Sequence, residues 1–240
     1  VQLSRPGPPP PPPDLPTGLA ARARDLGQRP AVSVLTVAGR AEQGFVTLAQ
    51  WAAKGAHLLE LDHAAGPGVE VFVDVPAGWP LAAVAAAVWW TGAAVRLGEP
   101  GDADVGIVHS SRGLPDVEHV LLVGDAVDGS PVDDTDLPVW ALEVQAFPDQ
   151  PPTPRATPRS TAVLAPGGIA MDHAEVVTRA AGLGAVGPLG LTRAGVRGEP
   201  LIALLAVAAR PLVTGSATVV LDGVGPDAAD GDRVASWLPT

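Results

Sequence analysis

Residues 160–173 read STAVLAPGGIAMDH, and the helix-like run HAEVVTRAA overlaps their end. A Ser/Thr start, a Pro-Gly-Gly turn and a helix opening at Asp172 outline a phosphate-holding loop, in which glycine frees backbone N–H groups to point at an anion. Ser160, Thr161, Pro166, Gly167, Gly168 and His173 are the residues of that outline placed to meet a ligand. The lysine such a loop uses is missing. Lys54 is the only lysine among the 15 basic residues, and all the others are arginines. The AVLA run reads as a strand, which commits its N–H groups to a sheet, and Asp172 adds negative charge beside the expected phosphate.

Other groupings read as structure. Residues 182–187 match GxGxxG, but they follow a predicted helix, whereas a dinucleotide fingerprint follows a strand and opens a helix. They are read as a helix-ending loop. The histidines at 57, 63, 109, 119 and 173 form no HExxH or close set with ligand spacing, so no metal site is expected. Residues 125–136, DAVDGSPVDDTD, lack the terminal glutamate and glycine position of a calcium loop and read as a solvated acidic loop. His109-Ser110-Ser111 has no G-x-S-x-G elbow around it. The tryptophans at 51, 79, 89 and 90 are expected in packing.

These residues must be held by short strands and apolar helices. Residues 31–37 alternate like a strand, 39–44 read as a turn, and Thr47 with Gln50 makes a T-x-x-Q capping box for a helix over 48–61. Strands are predicted at 69–75, 93–97, 105–109, 119–123 and 139–143. The helix at 80–90 is apolar nearly all round and therefore buried. In the second half, Asp172 caps a helix over 173–181, Pro200 opens one over 201–210, and 217–221 is a strand. WPLAAVAAAVWWTGAAVRL and EPLIALLAVAARPLVTGSATVVL share one order: Pro, apolar helix, Thr-Gly, strand. That pseudo-repeat of an αβ unit implies an α/β fold of two similar subdomains, with mainly parallel sheets flanked by helices. The expected division is a Pro-rich disordered arm over 1–16, with a short helix after it at 17–26. A first subdomain over 17–148, a Pro-rich linker over 149–160 and a second subdomain over 161–240 follow.

Composition bounds the function. With 47% apolar residues but only 4% aromatic, the core must be built from Ala, Val and Leu. A formal charge of −11 and scattered arginines exclude a nucleic-acid partner. The absence of cysteine excludes disulfides and thiolate chemistry. The opening VQLSRPGPPP lacks the apolar stretch of a signal peptide, and no run reaches the length of a membrane span, so a cytoplasmic protein without membrane contact is expected.

In this order of elements the chain resembles the N-terminal region of the adenylate-forming (AMP-binding, acyl-CoA synthetase-like) superfamily. The resemblance is carried by TLAQWAAKGAHLL, by GPGVEVFVDVPAGWPLAAVAAAVWWTGAAVRL, by the loop at 160–173 and by GSATVVL, and it covers residues 31–221. The nearest likeness is to a short actinobacterial type that keeps only this first portion of the fold. In that superfamily the phosphate loop is Ser/Thr-Gly-rich, then Pro-Lys-Gly-Val, then Thr-His opening a helix. Pro166, Gly168, Ile169 and His173 match the Pro, second Gly, Val and His. Gly167 stands at the lysine and Asp172 at the threonine. Residues 162–165 occupy the hydroxyl- and glycine-bearing part, leaving Ser160 and Thr161.

The adenine and ribose motifs and the lysine-bearing C-terminal domain of that superfamily are expected beyond Thr240. The resemblance therefore implies a degenerate AMP-binding-like protein that has lost catalysis, a pseudoenzyme acting as a module for a small molecule or a protein partner. No cofactor is expected, with ATP and AMP as the nucleotides to test. The alternatives are a ligase component completed by another polypeptide and a structural assembly protein.

Overall fold

The computed structural model describes residues 10–109, 114–124 and 136–238. Helix α1 (Leu15–Leu26) is capped by Asp14, whose carboxylate accepts from the Thr17 N–H at 2.8 Å. The helix thus begins inside the Pro-rich arm assigned to 1–16. Leu15 and Pro16 are buried, and Pro16 sits in the first turn, where an N–H has no helical partner to lose.

Strand β1 (Pro30–Thr36) lies where the alternation predicts it. Residues 39–44, read as a turn, are strand β2 (Gly39–Gly44), paired antiparallel with β1. GRAEQG is too polar to signal a strand, yet at a sheet edge it needs only one neighbour, and Glu42 accepts from the Ser33 hydroxyl at 2.9 Å. Helix α2 (Phe45–Asp62) follows at once with Gly44 as N-cap, so the capping box at Thr47 and Gln50 does not form. Phe45 is fully buried and belongs to the helix, and the Thr47 hydroxyl donates to Gln28 Oε1 at 3.0 Å.

Strand β3 (Glu70–Asp74), helix α3 (Trp79–Thr91) and strands β4 (Ala94–Arg96), β5 (Val105–Val108) and β6 (His119–Leu122) fall where the pattern places them. Residues 139–143, expected as a strand, form helix α4 (Trp140–Glu143) after Val139 makes one parallel bridge to Leu122. Trp140 and Val144 are both fully buried, and only a helical turn puts residues four apart on one face while leaving Leu142 exposed. The acidic segment 125–136 lies outside the described residues except for Asp136.

The second half gives β7 (Thr161–Ala165), β8 (Ile169–Asp172), α5 (His173–Ala181) and β9 (Leu189–Thr192). Helix α6 (Pro200–Ala203), a π-helical stretch (Leu204–Ala209) and α7 (Arg210–Thr214) then run on as one rod. The helix expected over 201–210 extends to Thr214, past Pro211, which lacks an N–H. The rod passes through it because the hydrogen-bond ladder changes register just before that residue. Strand β10 (Thr218–Asp222), a 3₁₀ segment (Pro226–Asp232) and the short β11 (Ser236–Trp237) complete the chain.

The pseudo-repeat is visible. Both α3 and α7 end on a left-handed glycine, Gly92 (φ 84°) and Gly215 (φ 71°), and each hands the chain to a strand. The two strands join different sheets. One sheet has the order β11-β9-β10-β1-β2 and the other β6-β5-β3-β4-β7-β8, with β2 and β8 as the antiparallel members. Each sheet draws strands from both halves of the chain, so the two units do not correspond to 17–148 and 161–240. The helices lie between the sheets in one continuous core, and α3 touches both. Every residue of α3 but Pro80 is buried, as its all-round apolarity requires. Among the described residues no helix is long and apolar enough to cross a membrane.

Candidate functional site

The phosphate-loop outline folds as a hairpin. β7 pairs with β8 up to Ala165 opposite Ile169, which leaves Pro166, Gly167 and Gly168 as a three-residue turn. Gly167 (φ 78°) and Gly168 (φ 76°) take the left-handed conformation that closes it, and Pro166 packs against Gly98. Ser160 and Thr161 lie at the other end of β7, roughly 13 Å of strand away. The Ser160 hydroxyl is engaged by the Thr157 N–H at 3.0 Å and by the Thr157 hydroxyl at 2.8 Å. His173 is fully buried. Its Nδ1 accepts from the Leu15 N–H at 3.5 Å, its Nε2 has no hydrogen-bond partner, and it meets Trp89 edge-on with ring centroids 6.5 Å apart. Burial pushes its pKa down to about 4, against the pull of Asp14 and Asp172. The six residues of the outline therefore do not converge on one surface, and His173 is a neutral core residue tying α1 to α5.

Asp172 caps α5 as predicted, in a full capping box. The Glu175 carboxylate accepts from the Asp172 N–H at 3.0 Å, and the Asp172 carboxylate accepts from the Glu175 N–H at 2.8 Å. That backbone bond, with help from Arg159, holds the Asp172 carboxyl below its ordinary range. The helix N-terminus is thus already occupied by a carboxylate.

The GxGxxG segment is the loop between α5 and β9. The fully buried Arg210 donates to the carbonyls of Leu183 (2.9 Å), Ala185 (3.0 Å) and Gly187 (2.7 Å). A loop that turns its carbonyl oxygens onto a cation has the opposite polarity to one that receives phosphate. Burial pulls the Arg210 pKa below its ordinary value. Elsewhere the rings of His63 and His119 lie 5.1 Å apart, and burial, then His119, lower the His63 pKa. No group of three or more metal-ligating side chains converges among the described residues.

A group of polar and charged side chains gathers somewhere else: in the crevice between the two sheets, at the carboxyl ends of their parallel strands. Asp74 closes β3 and His109 follows β5, with the His109 N–H donating to the Asp74 carbonyl at 3.0 Å. β3 leads the chain to β4 on one side and β5 leads it to β6 on the other, so this is a switch point of the sheet, where open α/β folds bind ligands. From the facing sheet come Arg193, just past β9, and Asp222, the last residue of β10. Arg193 Nη1 donates to Asp222 Oδ2 at 2.8 Å, and its Nε reaches the Ala77 carbonyl at 3.1 Å, which straps one sheet to the other. The main cavity is about 630 Å³, with Val75, Ala77, Val196 and Ala203 supplying apolar wall and Arg197 standing at its rim. That volume lies in the range of small-molecule sites.

Sequence reasoning missed Asp74, Arg193 and Asp222, and weighed His109 only as a metal ligand or triad member. A common signal marks them. Each ends or follows an apolar strand, in VFVD, GIVH, GLTR and VVLD, where a polar side chain closes the apolar run. The Pro166–Gly168 turn lies at the same end of its sheet but does not line the crevice.

Comparison with known proteins agrees with this architecture. No family model matches the chain. The TIGR03089 family protein of Mycobacterium tuberculosis is 45% identical over 73 residues, 30% of each chain. An acyl-CoA synthetase from Brucella canis superposes with a TM-score of 0.72 at 14% identity, covering 93% of this chain and 46% of the synthetase. A mutant form of coronafacic acid ligase from Pectobacterium brasiliense gives 0.68 at 12% identity, covering 93% of this chain and 49% of the ligase. The chain spans about half the length of these solved structures and has the α/β fold of the N-terminal region of adenylate-forming enzymes.

Proposed function

Starting from that fold, we propose that the chain is a non-catalytic binding module and that its ligand is a small molecule held in the inter-sheet crevice. The observation that carries this is the form of the β7–β8 connection. A triphosphate requires several free backbone N–H groups, hydroxyl donors and a cation. A three-residue turn of Pro166, Gly167 and Gly168 offers no side-chain donor at all, and the strand that leads into it, β7, is paired on both sides, with β4 and with β8. The crevice, by contrast, has an apolar wall, two cationic side chains and an open mouth. A cavity of that shape favours a compact ligand over a protein partner.

Calorimetric titration with Mg-ATP, with AMP alongside, tests the first half of this reading. The expected result is no saturable heat up to millimolar nucleotide. One-to-one binding would overturn it in favour of a ligase component completed by another polypeptide. A screen of small molecules followed by protein NMR tests the second half. Hits are expected to shift Val196 and Ala203 and to be lost in Ala203→Phe, which fills the cavity. Hits that leave these residues unmoved would sink the crevice as the site.

A further inference from the structure

The rod that walls the crevice changes its hydrogen-bond step twice. The Ala203 N–H donates to the Glu199 carbonyl at 3.0 Å and the Gly215 N–H to the Pro211 carbonyl at 2.9 Å, each four residues back. Between them the Arg210 N–H donates to the Leu205 carbonyl, five residues back. Continued by one residue, that five-step ladder would join the Ala206 carbonyl to the N–H of residue 211. Pro211 has none. The Thr218 hydroxyl fills the position. It donates to the Ala206 carbonyl at 2.6 Å, and both residues are sealed from solvent. Thr218 is the first residue of β10, so the strand that follows the rod supplies the donor that the proline withholds.

Resting on the crevice reading above, we infer that Thr218 is a positioning residue for the apolar wall of the crevice, acting through the Ala206 carbonyl. Two constraints select the five-step register. A four-step ladder would drive the Pro211 ring against the Val207 carbonyl. It would also give the Ala206 carbonyl to the Arg210 N–H and leave the buried Thr218 hydroxyl without its acceptor. The register matters because the five-step turn takes in one residue more than an α-turn. An α-helix advances about 100° and 1.5 Å per residue, so loss of the insertion would turn Pro200 and Ala203 by about that angle relative to α7. Both residues line the main cavity, whereas Thr218 lies outside its lining. A buried hydroxyl remote from the cavity thereby sets which side chains the rod presents to a ligand, and with them the shape that the ligand must match.

The chain has no cysteine, so Ala203→Cys places a single thiol on the crevice wall. Its rate of modification by methyl methanethiosulfonate reports whether position 203 faces the cavity. NMR reads the register directly, through the coupling carried across the hydrogen bond from the Arg210 nitrogen to the carbonyl carbon that accepts it. In the full chain that correlation is expected to Leu205, and Thr218→Ser, which keeps the hydroxyl, should preserve it. Pro211→Ala combined with Thr218→Val lifts both constraints. The correlation should then move to Ala206, and the thiol at 203 should react about tenfold more slowly, since reactivity follows the fraction of molecules that present it.

A doubly substituted chain that keeps the Leu205 correlation overturns the inference. So does one whose correlation moves while the thiol keeps its rate, and in either case the crevice stands as the site. A thiol at 203 that is inert in the otherwise unaltered chain overturns the crevice reading and the inference together. Should the double substitution prevent folding, the unaltered chain still decides. A Leu205 correlation with a Thr218 hydroxyl proton protected from exchange supports the inference, and an Ala206 correlation or a freely exchanging hydroxyl overturns it.

Discussion

The Arg210 guanidinium donates to the Gly187 carbonyl at 2.7 Å from a position fully sealed off from solvent. With Leu183 and Ala185 as its other acceptors, it organises the whole loop between α5 and β9. No carboxylate is paired with it among the described residues, so the charge is neutralised only by carbonyl dipoles. Its Nη1 has no partner of its own. Removing the side chain by Arg210→Met keeps most of the volume but strands three part-buried carbonyls, each worth up to roughly 1–3 kcal/mol where water cannot take the place of the guanidinium. Partial relaxation of the loop reduces the sum, and a net destabilisation of about 3 kcal/mol is expected, read as a lower urea midpoint at unchanged slope. A variant as stable as the parent would show that the buried charge costs as much as its hydrogen bonds return.

His173 gives the fold a pH dependence whose sign is fixed by its depressed pKa. The folded value is about 4 against 6.5 for the exposed imidazole. Between those values the unfolded chain binds the proton and the folded chain does not, so stability rises with pH across that window. The contribution is complete above about pH 6.5 and is lost as the pH falls toward 4. It amounts to about 3 kcal/mol in all. His63, lowered by burial and by His119, acts in the same direction. Urea midpoints measured from pH 4 to 7 should climb, and His173→Phe should flatten most of the slope. An unchanged slope in that variant would place the titration elsewhere.

How much of this was legible in the sequence depends on where each element's stability arises. α3 and β5 declare themselves because their burial is nearly complete and their residues are apolar to match. The Asp172 capping box is equally readable, since its partners are three residues apart. β2 is not, because GRAEQG becomes a strand only through its pairing with β1. The sheets' interleaving is hidden for the same reason: β1 lies between β2 and β10, and the second of these neighbours comes from the far end of the chain. His173 was read as a ligand-facing residue from its place in the phosphate-loop outline, whereas it is buried with the first residue of α1, Leu15, donating to its ring. The crevice residues carried a local signal at their strand ends. Which strand ends face one another is a property of sheet order, and no short spacing encodes that.

Gly55 marks a close approach of α2 to α3. A Cβ there would lie 2.8 Å from the Ala87 Cβ and 3.1 Å from the Trp140 ring. Trp140 is itself stacked on Trp51 at 5.4 Å, so the ring has little freedom to retreat. Gly55→Ala gains helix propensity but overpacks the contact, and a net loss of about 1–2 kcal/mol is expected in thermal or urea unfolding. An increase in stability would mean that the two helices can separate without disturbing the tryptophan stack.

Restoring the missing lysine provides a direct check on the phosphate-loop outline. Gly167 stands where the resemblance puts that lysine, and its φ of 78° is a conformation that side chains other than glycine occupy at a cost of about 1–2 kcal/mol. Space is not the obstacle, because nothing lies within 4 Å of the added Cβ. Gly167→Lys is therefore expected to fold with a modestly lower midpoint. It is also expected not to gain Mg-ATP binding in calorimetry, because one cation on a closed hairpin turn still lacks the ring of N–H and hydroxyl donors that a triphosphate needs. Saturable nucleotide binding by this variant would show that the turn can open into a working loop, and that the lysine alone had been lost.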